Sequence, residues 1–218
     1  MSKSIAVIGL GRFGSELALK LYSLGEEVMV MDTDEGLVDK IADRVTRAVT
    51  ADARARDVLE KLGAENFDRA VVAVGSDLAA SALITMNLKS LNVPYIICKA
   101  HDDTYREILE RLGADRVIIP EREVADKLAL GLTHAGVMEY IELSQEFGIV
   151  EMEPIPAWLG KTIRQLELRT TYGVNVIAVR SHEDTIKIPP DIDTPITADV
   201  VMVMLGKYEM FENLKKKD

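Results

Sequence analysis

The chain has one cysteine, Cys98, three histidines and one tryptophan among its 218 residues, and aromatic side chains make up only 5% of it. A single cysteine excludes an intrachain disulfide framework. Its place in the apolar run YIICKA (95–100) predicts a buried packing residue in a reducing compartment. No stretch approaches the roughly 18 consecutive apolar residues of a membrane-spanning helix. The opening MSKSIAVIG enters a strand-like run with no apolar signal-peptide core, so a cytoplasmic chain is expected, at the membrane only through a partner. Positive charge is also short: 26 Lys and Arg stand against 36 Asp and Glu, a net charge of -10. Phosphate-backbone binding needs a basic field, so no nucleic-acid partner is expected. The basic Lys215–Lys217 reads as a solvated helix end.

Signs of catalysis are equally sparse. His101, His134 and His182 are scattered without a partner acid in motif, and surface or helix-terminal roles are predicted for them. H-x-x-x-H, C-x-x-C and G-x-S-x-G are missing. Binding without turnover is therefore the leading class of function.

What is present is a folded, globular composition, 48% hydrophobic and 28% charged. From Lys3 to about Ala135, six short apolar runs alternate with helical patterns: SIAVIG, EVMVMD, TRAVTA, RAVVAVG, YIICKA and RVIIP. Runs that are apolar at every position suit strands covered on both faces, as in a parallel sheet with crossover helices. Between them, Leu17, Leu21 and Leu24, then Val58, Leu59 and Leu62, then Ile108, Leu109 and Leu112, keep helical spacing. These patterns end at Gly25, Gly63 and Gly113, each suited to the left-handed position that closes a helix. The predicted fold is α/β: a doubly wound, Rossmann-type, six-stranded parallel sheet over 1–135, followed by a small α+β domain over 136–218. In the second part, five of the seven prolines lie at or beyond Pro154. VNVIAVRSHEDTIKIPP reads as a hairpin turning at Ser181–Asp184, DVVMVMLG as a strand and GKTIRQLEL as helical. No repeat of fixed period occurs.

Gly9, Gly11 and Gly14 form G-x-G-x-x-G between the first strand and the first helix. The first glycine permits the tight turn, the second lets backbone approach a pyrophosphate, and the third lets helix and strand pack closely. Asp32 ends the second strand about 20 residues on, where a carboxylate accepts hydrogen bonds from ribose hydroxyls and repels a 2′-phosphate. Asp34 reads as an acid at the start of the next helix. Arg12, inside the loop, is either a fork for phosphate oxygens or an exposed loop arginine.

The same rim, at the carboxyl ends of the strands, carries Asp52 after the third strand, Gly75 and Ser76 after the fourth, Lys99 closing the fifth and Glu121 after the sixth. For Asp52, Gly75, Ser76 and Lys99 a plain turn or cap role is the alternative to ligand contact. Glu121 would repel a triphosphate unless Mg²⁺ or Ca²⁺ bridged the two, and its alternative is an acid at the start of the helix REVADKLAL.

The stretch KSIAVIGLGRFGSELALKLYSLGEEVMVMDTDE, with TADARARDVLEKLGAENFDRAVVAVGSD and LERLGADRVIIPE, closely resembles the RCK (regulating conductance of K⁺) family. GLGRFG and GADRVIIPE together resemble its Ktr/Trk potassium-uptake branch, and the resemblance covers essentially the whole chain, with 136–218 similar to the RCK_C module. It implies that ATP or ADP, and in some members NAD(H), occupies the cleft. Among the loop residues it implies Arg12 on phosphates, with Phe13 and Ala53 also at the ligand, and Asp32 on the ribose. It further implies that Glu121 helps bind a divalent cation near the outer phosphates. LELRTTYGVNVIAVR, with Pro189 and Pro190 after it, resembles a cyclic di-AMP site between two protomers, implicating Arg169, Asn175 and Pro189, although packing of a strand and its turn accounts for this segment equally well.

The resemblance also implies dimers assembling into an octameric ring on a potassium-translocating membrane subunit, with ATP and ADP favouring different ring shapes. Two rivals stand beside this. One is an NAD(H)-dependent oxidoreductase or redox sensor using the same loop. The other is a nucleotide-binding repressor, disfavoured by the acid excess and the lack of a helix-turn-helix pattern.

Overall fold

The structure is a computed structural model that describes residues 2–133, 137–144, 146–181, 185–207 and 209–211. His134, Gly136, His182, the turn residues 182–184 and Lys215–Lys217 lie outside the described residues. Two compact units divide at Glu123/Val124.

All six apolar runs of the first unit are strands: β1 (Ser4–Ile8), β2 (Glu27–Asp32), β3 (Arg47–Thr50), β4 (Arg69–Val72), β5 (Ile96–Lys99) and β6 (Arg116–Ile118). They form one parallel sheet in the order β3-β2-β1-β4-β5-β6. The chain leaves β1 outward in one direction to β3 and returns to β4 on the other side of β1. That reversal opens a crevice at the carboxyl ends of β1 and β4, the usual ligand position in doubly wound folds. Helices α1 (Arg12–Ser23), α2 (Glu35–Asp39), α3 (Arg56–Lys61), α4 (Leu78–Ser90), α5 (Asp103–Arg111) and α6 (Pro120–Thr133) follow the strands in turn, and α6 runs across the division between the units.

Both sheet faces are buried because successive strand side chains point opposite ways. Val7, Val28, Val30 and Val71 pack with Leu10, Ala18 and Val38 on one side. Ala6, Ile8, Met31, Val72 and Cys98 pack with Leu59, Ile84, Leu88 and Leu109 on the other. Each fully buried valine, leucine or isoleucine of this kind contributes about 1.5–3 kcal/mol. The glycines expected to close helices have positive φ, +86° at Gly25, +77° at Gly63 and +109° at Gly113.

The second unit holds a five-stranded antiparallel sheet in the order β10-β9-β11-β8-β7. Its strands are β7 (Val137–Glu142), β8 (Phe147–Met152), β9 (Asn175–Ser181), β10 (Ile186–Lys187) and β11 (Val200–Lys207). The predicted hairpin is β9–β10, paired Arg180 to Ile186 and Val179 to Lys187. GKTIRQLEL holds the short helix α7 (Ile163–Leu166), which opens on a Thr162/Gln165 capping box, and it ends at Leu168, where a second short helix, α8 (Leu168–Tyr172), begins. Trp158, Leu168, Met202 and Met204 form the core of this unit. Among the described residues, no helix is long and apolar enough to cross a membrane.

Candidate functional site

The crevice at the carboxyl ends of β1, β2, β3 and β4 is a cleft of about 340 Å³. Of the residues singled out in the sequence, Gly9, Gly11, Asp32, Asp52, Ala53, Gly75 and Ser76 line it.

The three loop glycines have three different physical reasons. Gly9 has φ +97°, and a Cβ there would press on Val74 at 3.0 Å and on the Ala73 backbone at 3.1 Å. At Gly14 a Cβ would fall 1.9 Å from the Gly9 carbonyl oxygen, so this glycine is what lets α1 start against β1. Gly11 has an ordinary φ of −63°, and a Cβ there would meet nothing within 4 Å. Neither strain nor internal packing demands a glycine at that position, and the space beside it is open to a group from outside the chain. Gly11 is the N-cap of α1 and, having no side chain, makes no capping bond. The first-turn N–H groups of Arg12, Phe13 and Gly14 therefore have no helical acceptor and suit an anion.

Asp32 is fixed from behind. Its Oδ2 accepts the Leu10 N–H at 2.6 Å and its Oδ1 accepts the Asp34 N–H at 3.0 Å, so the carboxylate ties the end of β2 to the glycine loop. Each oxygen keeps acceptor capacity for a hydroxyl. Asp34 caps α2, accepting the Leu37 N–H at 3.3 Å. Asp52 is forked by Arg54, with Nε 2.9 Å from Oδ1 and Nη2 2.7 Å from Oδ2. The Arg54 side-chain hydrogen bond holds the Asp52 carboxyl below its usual range, and the Arg54 N–H lowers it further. Asp77, also in the lining, caps α4 through the Ala80 N–H at 3.0 Å.

Arg12 stands exposed at the first position of α1, with no side-chain partner among the described residues. Phe13, Gly75, Lys99 and Glu121 meet at a second corner. Lys99 Nζ lies 5.8 Å from the centre of the Phe13 ring and donates to Glu121 Oε1 at 2.8 Å, while its stem would lie 3.1 Å from a Cβ on Gly75. The Lys99 hydrogen bond lowers the Glu121 carboxyl, helped by Glu121's own backbone N–H. No group of three or more His, Cys, Asp or Glu suited to a metal occurs among the described residues. A divalent cation at Glu121 would therefore draw further ligands from phosphate oxygens and water.

In the second unit, Arg169 and Asn175 line one hollow of about 300 Å³ with Arg164 and Glu167, and Pro189 is not part of its lining. Residues that the sequence reading did not single out, Arg54 and Asp77, also shape the cleft. The D-x-R spacing of Asp52 and Arg54 was the available signal for the first, and an aspartate ahead of the helical pattern LAASALI for the second.

Residues 5–120 match the TrkA-N domain and residues 149–217 the TrkA-C domain. The chain belongs to the RCK family, in its Ktr/Trk branch. This RCK protein is 36% identical over 217 residues to "Ktr system potassium uptake protein C" of Bacillus subtilis, covering 100% of this chain and 98% of that one. It is 37% identical over 214 residues to "Ktr system potassium uptake protein A" of the same organism, covering 97% and 96% respectively. The GsuK RCK domain shares its fold, with TM-score 0.70 at 20% identity over 99% of this chain and 47% of the other.

Proposed function

We propose that this RCK protein is the nucleotide-sensing cytoplasmic regulatory subunit of a Ktr/Trk-type potassium uptake system, and that it binds ATP and ADP in the cleft without turning them over. The observation that carries the nucleotide is Gly11, a glycine with ordinary φ and open space where a Cβ would stand, at the head of a helix with free first-turn amides. Asp32, held by two backbone N–H groups, keeps acceptor capacity that would suit ribose hydroxyls. The potassium system is supported by the relatives named as Ktr system potassium uptake proteins, which this chain matches over nearly their whole length.

Binding without turnover fits the state of the cleft's carboxylates. Asp32 anchors the loop, Asp52 is forked by Arg54, and Asp77 caps a helix. Each is engaged as a hydrogen-bond acceptor within the fold, whereas acid–base catalysis needs a group free to exchange a proton with a substrate. The γ-phosphate then acts through its contacts. Arg12 and the Lys99–Glu121 pair, with Mg²⁺ or Ca²⁺ bridging to Glu121, meet ATP and ADP differently, and only such a difference can shift a conformational equilibrium. Dimers assembling into an octameric ring would sum that difference over the subunits and pass it to the potassium-translocating membrane subunit. Cyclic di-AMP would be a second ligand, with Arg169 for its phosphate and Asn175 for its base.

Solution scattering from the purified protein saturated with ATP or with ADP tests the gating part of this function. Two distinct profiles of an assembly larger than a dimer are expected. Identical profiles with both nucleotides bound would contradict it.

A further inference from the structure

Two polar residues are buried among the described residues, Ser81 at 1% exposure and Thr85 at 0%, one turn apart on α4. Thr85 behaves as a helical hydroxyl usually does: Oγ1 donates to the carbonyl four residues back, that of Ser81, at 2.7 Å. Its one proton is then used, so the Cys98 thiol, 3.2 Å away, is the donor to Thr85. Both contacts stay inside the core. Ser81 does something else. Its hydroxyl leaves the helix and donates to the carbonyl of Val74 at 2.6 Å, seven residues back in the segment between β4 and α4.

Val74 and Gly75 both line the cleft, and the Val74 side chain abuts Gly9. The Val74–Gly75 peptide is trans, so its C=O and N–H point in opposite directions. With the carbonyl turned toward Ser81, the Gly75 N–H faces away from α4, and it has no acceptor among the described residues. We propose that Ser81 is a positioning residue for the cleft's ligand: its buried hydroxyl locks the Val74–Gly75 peptide plane, so that the Gly75 N–H stands ready as a donor to an acceptor atom of the nucleotide. A donor held in place before binding costs no ordering when the ligand arrives. This inference rests on the nucleotide function proposed above.

The test is calorimetric titration of the full chain with ADP, in wild type, Ser81→Ala, Ser81→Thr and Thr85→Val, alongside thermal unfolding of each. Ser81→Ala and Thr85→Val each remove one buried hydroxyl from α4, and both are expected to lower Tm. The expected result is about tenfold weaker ADP binding in Ser81→Ala alone, the size of one lost hydrogen bond, with wild-type affinity in Thr85→Val and affinity restored in Ser81→Thr. Wild-type affinity in Ser81→Ala, or an equal loss in Thr85→Val, would overturn the inference and leave the nucleotide function standing. Failure of the wild type itself to bind ADP would refute that function, and the role of Ser81 with it. If Ser81→Ala does not fold, Ser81→Cys, which keeps the volume with a weaker donor, is read in the same way.

Discussion

Lys99 Nζ stands 2.8 Å from Glu121 Oε1, joining the end of β5 to the start of α6 beside the glycine loop. Lys99 is mostly covered, at 20% side-chain exposure, and Glu121 is open at 69%. The pair is thus a poor stabiliser, worth about 0–1 kcal/mol for so exposed a partner. In the proposed ATP-bound state, the triphosphate and Glu121 would compete for one ammonium.

Glu121→Gln removes that competitor. Without divalent cation, the variant is expected to bind ATP more tightly than wild type, because Lys99 is released and a negative charge is lost. With Mg²⁺ or Ca²⁺ present, the cation-dependent gain in ATP affinity should disappear. Titration with and without chelator reads both effects. The sign with pH follows from the lowered Glu121 carboxyl. The pair's contribution to stability is complete above the unfolded glutamate value of about 4.3 and is lost as pH falls through the lower folded value.

Gly11 and Gly14 should separate binding from folding. Gly14→Ala places a methyl group against the Gly9 carbonyl oxygen and is expected to cost about 3 kcal/mol, seen as a fall in denaturation midpoint. Gly11→Ala meets open space at an ordinary φ, so stability should change by less than about 1 kcal/mol. Its nucleotide affinity should fall at least about tenfold, because the methyl group occupies the approach to the α1 amides.

Cys98 is predicted to be inert. Burial pushes its thiol up to about 11. The native protein should resist thiol reagents at pH 8 and react fully once denatured. Because the folded value is raised, this group's contribution to stability is complete below the unfolded thiol value of about 8.5 and is lost as pH rises toward the folded one.

The six strands of the first sheet were legible because each is apolar on both faces. Gly25, Gly63 and Gly113 were legible because the left-handed backbone position that closes a helix favours glycine. In the second unit, β9, β10 and β11 stood out, but β7 and β8 did not acquire bounds. Their stretch, VMEYIELSQEFGIVEM, mixes glutamates with apolar residues because an antiparallel sheet needs only one buried face. Site residues carried by the loop motif were readable one by one. The pairings were not: Lys99 meets Glu121 across a crossover, and Ser81 turns back to the Val74 carbonyl at a seven-residue offset that is no helical spacing.

Arg169→Ala is expected to abolish binding of cyclic di-AMP while leaving ADP affinity unchanged, since Arg169 and the ADP cleft belong to different units. Parallel titrations with the two ligands decide it. Unchanged cyclic di-AMP binding would remove that ligand from the hollow at Asn175.

In the proposed function, the cleft reads adenine nucleotides by their outer phosphate. Calorimetry on the wild-type protein with ATP, ADP and NADH, with and without Mg²⁺ or Ca²⁺ and repeated on Arg12→Ala, tests it most directly. The predicted result is tight binding of both ATP and ADP, with ATP alone weakened by loss of the cation or of Arg12. Tight NADH binding that neither adenine nucleotide displaces would contradict it.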